Sequence, residues 1–279
     1  MLRIGIDVGG TFTDLVSVDP QGRVMLAKVA STPDDQSLGV MEGLDRLAES
    51  LGLDRAVMLA RTERIVHGTT VATNALLEHK GARVGLLTTE GHRDIIEMRE
   101  GLKDDRYHLR LPPPVQLVPR ERRIGVRERI RPDGRIDVPL DRDSLAAAIA
   151  SLKDQGVEAV AICYLHSWRD PIHEQASAKA VRAAMPGAYI SLSSAVLPQI
   201  KEYDRLCTTV VNAYVGPGLQ RYLARLELRL REAGLRAPVL IVQSHGGVAT
   251  SPRRCDWRQD ACFLGRPGAL PAANMLPAC

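Results

Sequence analysis

The residues best suited to chemistry stand together near the start of the chain, as Asp7-Val8-Gly9-Gly10-Thr11-Phe12-Thr13-Asp14. Two adjacent glycines allow positive φ and let backbone N–H groups approach an anion closely, and the hydroxyls of Thr11 and Thr13 add donors for phosphate oxygens. Asp7 ends an alternating run on the side opposite Ile6 and Val8. A carboxylate there can hold Mg2+ through water, as suits a hard cation that bridges phosphates. The same octapeptide also reads as a Gly-Gly hairpin turn capped by its own Asp and Thr side chains. The chain has no GxxxxGKS or GxxxxGKT run, which argues against a P-loop.

A second constellation is His67-Gly68-Thr69-Thr70. A strand ending in Gly, with paired hydroxyls at a helix start, can bind an anion or orient a substrate, and His67 can shuttle a proton. The plainer reading makes Thr69 or Thr70 the helix N-cap and His67 a satisfied core residue. His166 and His173 flank SWRDPI beside Asp170 and Glu174, but their spacing fits neither HExxH nor HxH, so no metal is assigned to them. Leu219, Leu223, Leu226 and Leu230 recur at helical spacing and are read as core packing.

The elements that must position these residues follow from periodicity. Leu2, Ile4, Ile6 and Val8 alternate with Arg3, Gly5 and Asp7; DLVSVD resumes strand character, PQGR supplies a turn and VMLAKVA a third strand, together an antiparallel meander. Leu38, Met41, Leu44, Leu47 and Leu51 then predict a helix. RIVHGTT reads as a strand and VATNALLEHKG as a helix stopped by Gly81. RVGLLTT and HRDIIEMRE repeat the alternation before LRLPPPVQLVPR breaks it. Further on come a helix at SLAAAIASLKDQG, a buried strand at VEAVAICYL, a helix after Pro171, a long helical region from about Cys207 to Leu235, and a strand and turn at APVLIVQSHGG. The alternation is that of an α/β protein.

Composition narrows the class. Length (279 residues) and 45% hydrophobic content suit one or two globular domains. The longest apolar runs fall far short of the ~20 residues of a membrane-crossing helix, and the N-terminus shows no signal-peptide core, which predicts a soluble, cytoplasmic protein with no membrane role. The formal charge is only +4, and the basic stretch VPRERRIGVRERIRPDGR is interleaved with acids around a Pro-Asp-Gly turn; a solvated loop or hairpin is expected there and no nucleic acid. The five cysteines, at 163, 207, 255, 262 and 279, form no CxxC pair, and reduced thiols are expected.

The opening octapeptide resembles the first phosphate motif of the actin, sugar-kinase and Hsp70 superfamily. HGTTVATNALLEHKGARVGLLTTEGHRDIIEM at 67–98, VPRERRIGVRERI at 118–130, GVEAVAICYLHSWRDPIHE at 156–174 and EYDRLCTTVVNAYVGP at 202–217 narrow the match. Together they resemble hydantoinase A, 5-oxoprolinase and the acetone carboxylase β subunit, over about residues 2–250. That resemblance implies the N-terminal lobe of an actin/sugar-kinase/Hsp70-like (ribonuclease H-like) ATPase fold, plus an incomplete second domain. The division it suggests is 1–180 for the N-terminal domain, 181–250 for the start of the hydantoinase A domain, and 251–279 for an aberrant tail from a shifted frame or gene end. It implies ATP and Mg2+ as cofactors, with Asp7, Gly9, Gly10, Thr11, Thr13 and Asp14 on the nucleotide phosphates, Asp7 as metal ligand, and His67, Thr69 and Thr70 as catalytic residues. The implied reaction is ATP-driven activation of a cyclic amide, or of a ketone in the carboxylases, by phosphorylation of the substrate oxygen. A hydantoinase B-like partner subunit is implied as well. In the segment QSHGG, His245 stands where the family carries Asn. The family's later SGPAGG segment and second DxGGTxTD-like motif do not occur here, so a chain that is inactive alone is expected, with a non-catalytic remnant as a further alternative to the hydrolase and the ketone carboxylase.

Overall fold

The computed structural model describes residues 1–99, 107–110, 115–242 and 247–250. Its first strand, β1 (Leu2–Val8), buries Leu2, Ile4, Ile6 and Val8 and leaves Arg3 and Asp7 exposed, as the alternation requires. β2 (Phe12–Val18) and β3 (Val24–Ala30) complete the antiparallel meander, with Asp7 opposite Asp14 and Asp14 opposite Lys28. α1 (Gln36–Ser50) is capped by Asp35, whose carboxylate accepts from the Ser37 N–H. Its buried stripe is Ser37, Gly39, Val40, Gly43, Leu44, Leu47 and Ala48, while Leu38 is exposed. The stripe is rotated from the leucine pattern because two glycines face the sheet: a Cβ on Gly43 would stand 2.1 Å from Leu15 Cδ1. α2 (Arg55–Ala60) leads into β4 (Thr62–Thr69), which runs parallel to β1, and then into α3 (Val71–Leu77). α3 ends short of Gly81; the chain turns at His79, whose φ is 54°, and Gly81 instead lies against the Tyr214 ring.

The chain continues through β5 (Val84–Thr89), the single turn α4 (Ile95–Met98), β6 (Arg123–Val126), the paired β7 (Arg129–Ile130) and β8 (Ile136–Val138), α5 (Arg142–Asp154) and β9 (Ala159–Cys163). α6 (Ile172–Ala184), β10 (Tyr189–Leu192), α7 (Ser193–Val196), α8 (Glu202–Glu232), β11 (Val239–Val242) and β12 (Val248–Thr250) follow. The basic stretch expected as solvated divides in two. β7 and β8 form the expected hairpin around Pro132-Asp133-Gly134, but Arg123 opens a strand of a sheet and its side chain is fully buried. Its Nε donates to the Val118 carbonyl at 2.7 Å and its Nη1 stands 3.2 Å from a Glu97 oxygen, so the buried charge is met.

The described residues fall in two units, one formed by Met1–His79 with the chain from Gly218 onward, the other by Lys80–Pro217. The boundary lies within α8, at Pro217, where a proline removes one helical hydrogen bond. The first unit holds a six-stranded sheet of order β12-β11-β4-β1-β2-β3, in which β4 and β11 run parallel to one another and to β1. The antiparallel meander joined to parallel neighbours on the β1 side is the ribonuclease H-like order. α1 covers the face bearing Ile4, Ile6 and Leu15, whereas the face bearing Arg3, Asp7, Phe12, Asp14 and Leu26 is open. The second unit holds the all-parallel sheet β10-β9-β5-β6, with α5 and α6 packed over Leu87, Val160 and Ile162. No helix among the described residues is long and apolar enough to cross a membrane.

Candidate functional site

The tip between β1 and β2 is closed by the Gly9 N–H, which donates to the Phe12 carbonyl at 3.0 Å. Two bonds tie the tip to β3. The Ser31 N–H donates to the Thr11 carbonyl at 2.9 Å, and the Ser31 hydroxyl donates to the Gly9 carbonyl at 2.8 Å. Thr13 is fully buried on the α1 side and its hydroxyl lies 3.0 Å from Ser31 Oγ, so it braces the tip from beneath. The carbonyls of Gly9, Thr11 and Phe12 are thus held inward. Gly10 and Thr11 are exposed, and among the described residues neither backbone N–H has an acceptor. Two amides held by a braced turn and left without acceptors make a cradle for an anion.

Asp7 and Asp14 stand side by side on the open face at the base of this tip. Lys28 Nζ lies 3.0 Å from Asp14 and 4.8 Å from the centroid of the Phe12 ring. Asp7 has no such counter-charge among the described residues. Its carboxylate leans over Gly68 of the adjacent strand, where a Cβ would stand 3.3 Å from Oδ1. Bare carboxylate and bare amides within one turn repel and attract the same anion, a conflict that a cation seated between them resolves. Asp7 fits Mg2+ in that role, since this ion commonly takes one or two carboxylates and fills its remaining positions with water and phosphate oxygens. No group of three or more metal-ligating side chains occurs among the described residues.

The HGTT segment divides between two faces. Gly68 lies on the Asp7 face, and Thr70 ties α3 to the tip: its N–H and hydroxyl both donate to the Val8 carbonyl, at 3.1 and 3.2 Å. Thr69 Oγ1 accepts from the Val71 N–H at 3.2 Å, while Thr70, the N-cap residue of α3, makes no side-chain capping bond. His67 points the other way and is fully buried, with Nε2 2.9 Å from the Tyr222 hydroxyl of α8. Burial pushes its pKa down from 6.5 to about 4, against a weaker opposing contact with the Ile6 backbone, so the ring is neutral near pH 7. The structure therefore brings together Asp7, Gly9, Gly10, Thr11, Asp14 and Thr70, and sets Thr13 and His67 on the covered face. Gln243 to Gly246 of the QSHGG segment and residues 251–279 lie outside the described residues.

Sequence reasoning missed Asn74. Its side-chain Nδ2 lies 3.2 Å from Thr70 Oγ1, and 3.3 Å from the point a Cβ on Gly10 would occupy. The signal was available, because a residue four beyond Thr70 shares its helix face. Ser31, a strand away from the motif, left no such signal.

In the second unit the ends of the parallel strands carry a different polar cluster. Glu174 accepts from the Tyr164 N–H, the Ser167 and Ser193 hydroxyls, and the N–H and hydroxyl of Ser194. Arg205 donates to Ser167, Ser193 and the Tyr164 carbonyl, while Glu128 holds Thr89 and His173, the last at 2.8 Å. His166 is not part of a ligand set with His173, whose ring nitrogen is taken by Glu128.

The sheet order and the braced glycine tip define a lobe of the ribonuclease H-like class. The chain belongs to the hydantoinase/oxoprolinase family: residues 3–185 match the hydantoinase/oxoprolinase N-terminal region and residues 205–255 match a second hydantoinase/oxoprolinase model. It is 45% identical over 275 residues to the caprolactamase subunit alpha of Pseudomonas jessenii, covering 98% of this chain and 39% of that one. The crystal structure of the ATP-dependent caprolactamase from that organism superposes with a TM-score of 0.82 over 88% of this chain and 36% of the other. 5-Oxoprolinase 1 of Arabidopsis thaliana is 30% identical over 279 residues, 90% of this chain and 22% of the relative. A nucleotide-free acetone carboxylase structure, 27% identical, gives a TM-score of 0.79 over 89% of this chain and 37% of that one. The chain thus spans well under half the length of these relatives.

Proposed function

We propose that this chain carries the phosphate-binding lobe of an ATP-dependent enzyme that opens cyclic amides. The observation that carries the reading is the pairing on one open face of the Gly10 and Thr11 amides with the Asp7 carboxylate, none of which has a partner among the described residues. In this assignment the Gly10 and Thr11 amides hold phosphate oxygens, Asp7 holds Mg2+, and Thr13 and Ser31 keep the tip rigid. Asp14 stands as a second carboxylate on the same face. Thr69 and Thr70 fix the start of α3 beside the tip, and His67 supports β4 from the covered face as a neutral core residue. ATP supplies a phosphoryl group that turns an amide oxygen into a better leaving group. An amide needs that help because its resonance makes the carbonyl a poor electrophile.

The cyclic-amide substrate rests on the 45% identity to a caprolactamase subunit, against 34% to an acetophenone carboxylase subunit and 29% to an acetone carboxylase subunit. Catalysis is assigned to an assembly with a partner subunit, as the relative named subunit alpha suggests. A cytoplasmic setting fits a use of ATP and the buried free thiols of Cys163 and Cys207. Titration calorimetry with Mg·ATP tests the lobe: binding that requires Mg2+ and weakens in Asp7→Ala is expected, and undiminished binding by Asp7→Ala would remove the site. In a full-length enzyme built on this lobe, ATP turnover stimulated by a cyclic amide is expected. Turnover stimulated only by bicarbonate and a ketone would replace the amide reading with a carboxylase.

A further inference from the structure

We infer that the Asn74 side-chain amide is a third donor of the phosphate cradle, an assignment that rests on the phosphate-binding role proposed for the tip. The orientation of this amide follows from its neighbours. The Thr70 hydroxyl gives its one hydrogen to the Val8 carbonyl, leaving Thr70 Oγ1 able only to accept from Asn74. The NH2 end of Asn74 must therefore face Thr70 and the glycine tip, with the amide oxygen turned away. Each NH2 carries two hydrogens; one reaches Thr70, and no acceptor among the described residues takes the other.

Gly10 makes the approach of this donor feasible. A Cβ on Gly10 would stand 3.3 Å from Asn74 Nδ2, closer than all but a small share of Cβ contacts, so any side chain there presses on the amide. The second glycine of the Gly-Gly pair thus has a purpose beyond the turn: it admits a side-chain donor next to the acceptor-free amides of Gly10 and Thr11. Three N–H groups at one tip, with no acceptor among the described residues for either backbone amide or for the second Asn74 hydrogen, suit an anion with several oxygens, which is the chemistry of a di- or triphosphate tail. Position on α3 supplies the reach, because Asn74 stands one turn after Thr70, whose backbone is itself bonded to the end of β1.

Calorimetry on the whole chain with two probes, Mg·ATP and Mg·pyrophosphate, tests the assignment. Asn74→Asp keeps the shape and replaces the donor by an anionic oxygen; it should weaken both probes by about thirtyfold or more, and Asn74→Ala by about tenfold. Thermal unfolding without nucleotide serves as the control, and both variants should melt with the parent chain. Equal affinity of Asn74→Asp and the parent for both probes overturns the assignment while leaving the tip in place. A loss for Mg·ATP but not for Mg·pyrophosphate also overturns it, since the amide would then act away from the phosphates. Failure of the parent chain to bind either probe overturns the phosphate reading itself.

Discussion

Two polar clusters occupy equivalent positions in the two units, each at the carboxyl ends of parallel strands, and they differ in what they leave unsatisfied. Around Glu174 nearly every donor and acceptor is matched: its carboxylate takes five hydrogen bonds, and Arg205 reaches it through Ser167 and Ser193. Glu174, Ser167, Ser193 and Arg205 are all buried. At the glycine tip the carbonyls of Gly9, Thr11 and Phe12 are matched, while the Gly10 and Thr11 amides and the Asp7 carboxylate have no partner among the described residues, and all three of these are exposed. Strand ends in α/β sheets are where ligands are commonly found, yet only the glycine tip presents unmet groups on an exposed face, because Arg205 Nε, which lacks a partner among the described residues, is fully buried. Unmet hydrogen-bonding capacity within reach of solvent, rather than the presence of polar residues, separates a binding site from a structural clasp.

The largest effect that this contrast predicts is in the clasp. Glu174→Ala would leave three hydroxyls and two backbone N–H groups without their acceptor, and the Arg205 charge without the carboxylate it meets through Ser167 and Ser193. Removing one member of a buried, hydrogen-bonded charge pair costs about 3–5 kcal/mol. Urea unfolding should register that loss, and Glu174→Gln, which keeps one acceptor oxygen, should register less. A Glu174→Ala variant as stable as the parent would mean that the cluster is not a clasp at all.

Next in size is a pH effect centred on His67. Its folded pKa, about 4, lies below the ordinary 6.5, so the unfolded chain binds a proton that the folded chain refuses. The stability held by the neutral ring is complete above pH 6.5 and is lost as pH falls from 6.5 toward 4. The total is on the order of 3 kcal/mol for a shift of this size. His67→Phe should flatten that part of the stability profile. A profile with the same slope in both chains would show that His67 is not the group responsible.

Asp7→Ala should produce the opposite signature to Glu174→Ala. Its carboxylate is exposed and has no counter-charge among the described residues, so its removal should leave stability within about 0.5 kcal/mol of the parent. Affinity for Mg·ATP should nonetheless fall by about 2 kcal/mol, roughly thirtyfold. One cluster then carries stability and the other affinity. Two variants that lost both together would erase the distinction.

Much of the tip was legible in sequence because it is local. Alternation from Leu2 to Val8 fixed which face Asp7 would take, and Gly9-Gly10 marked the turn. What failed to show was everything that depends on packing. Glycines escape a hydrophobic count, so the pattern of Leu38 and Met41 points to one stripe of α1 while Gly39 and Gly43 face the sheet. Thr13 looked like a phosphate donor until strand pairing placed it beneath the tip with Ser31. Arg123 looked solvated because its partners, Val118 and Glu97, are brought to it by the turn before β6 and by α4. Nor does a linear reading reveal that β11, more than 170 residues after β4, pairs with it in register Ile241 to His67.

The smallest predicted effect sharpens the comparison most finely, because it concerns the one carboxylate at the tip that is already matched. Lys28 sits near Asp14 and over the Phe12 ring, with both charged groups more than half exposed. An exposed pair of this kind is worth about 0–1 kcal/mol, so Lys28→Ala should barely move the unfolding midpoint. Its consequence should appear instead in the ion requirement. Without Lys28 the two neighbouring carboxylates, Asp7 and Asp14, both face the incoming phosphates uncompensated, and more Mg2+ is needed to seat the same nucleotide. Nucleotide affinity measured across a Mg2+ titration should therefore shift to higher metal concentration in Lys28→Ala and reach the parent value at saturation. If the titration curves coincide, Asp14 lies outside the field felt by the nucleotide, and the unmatched groups of the tip reduce to Asp7 and the amides alone.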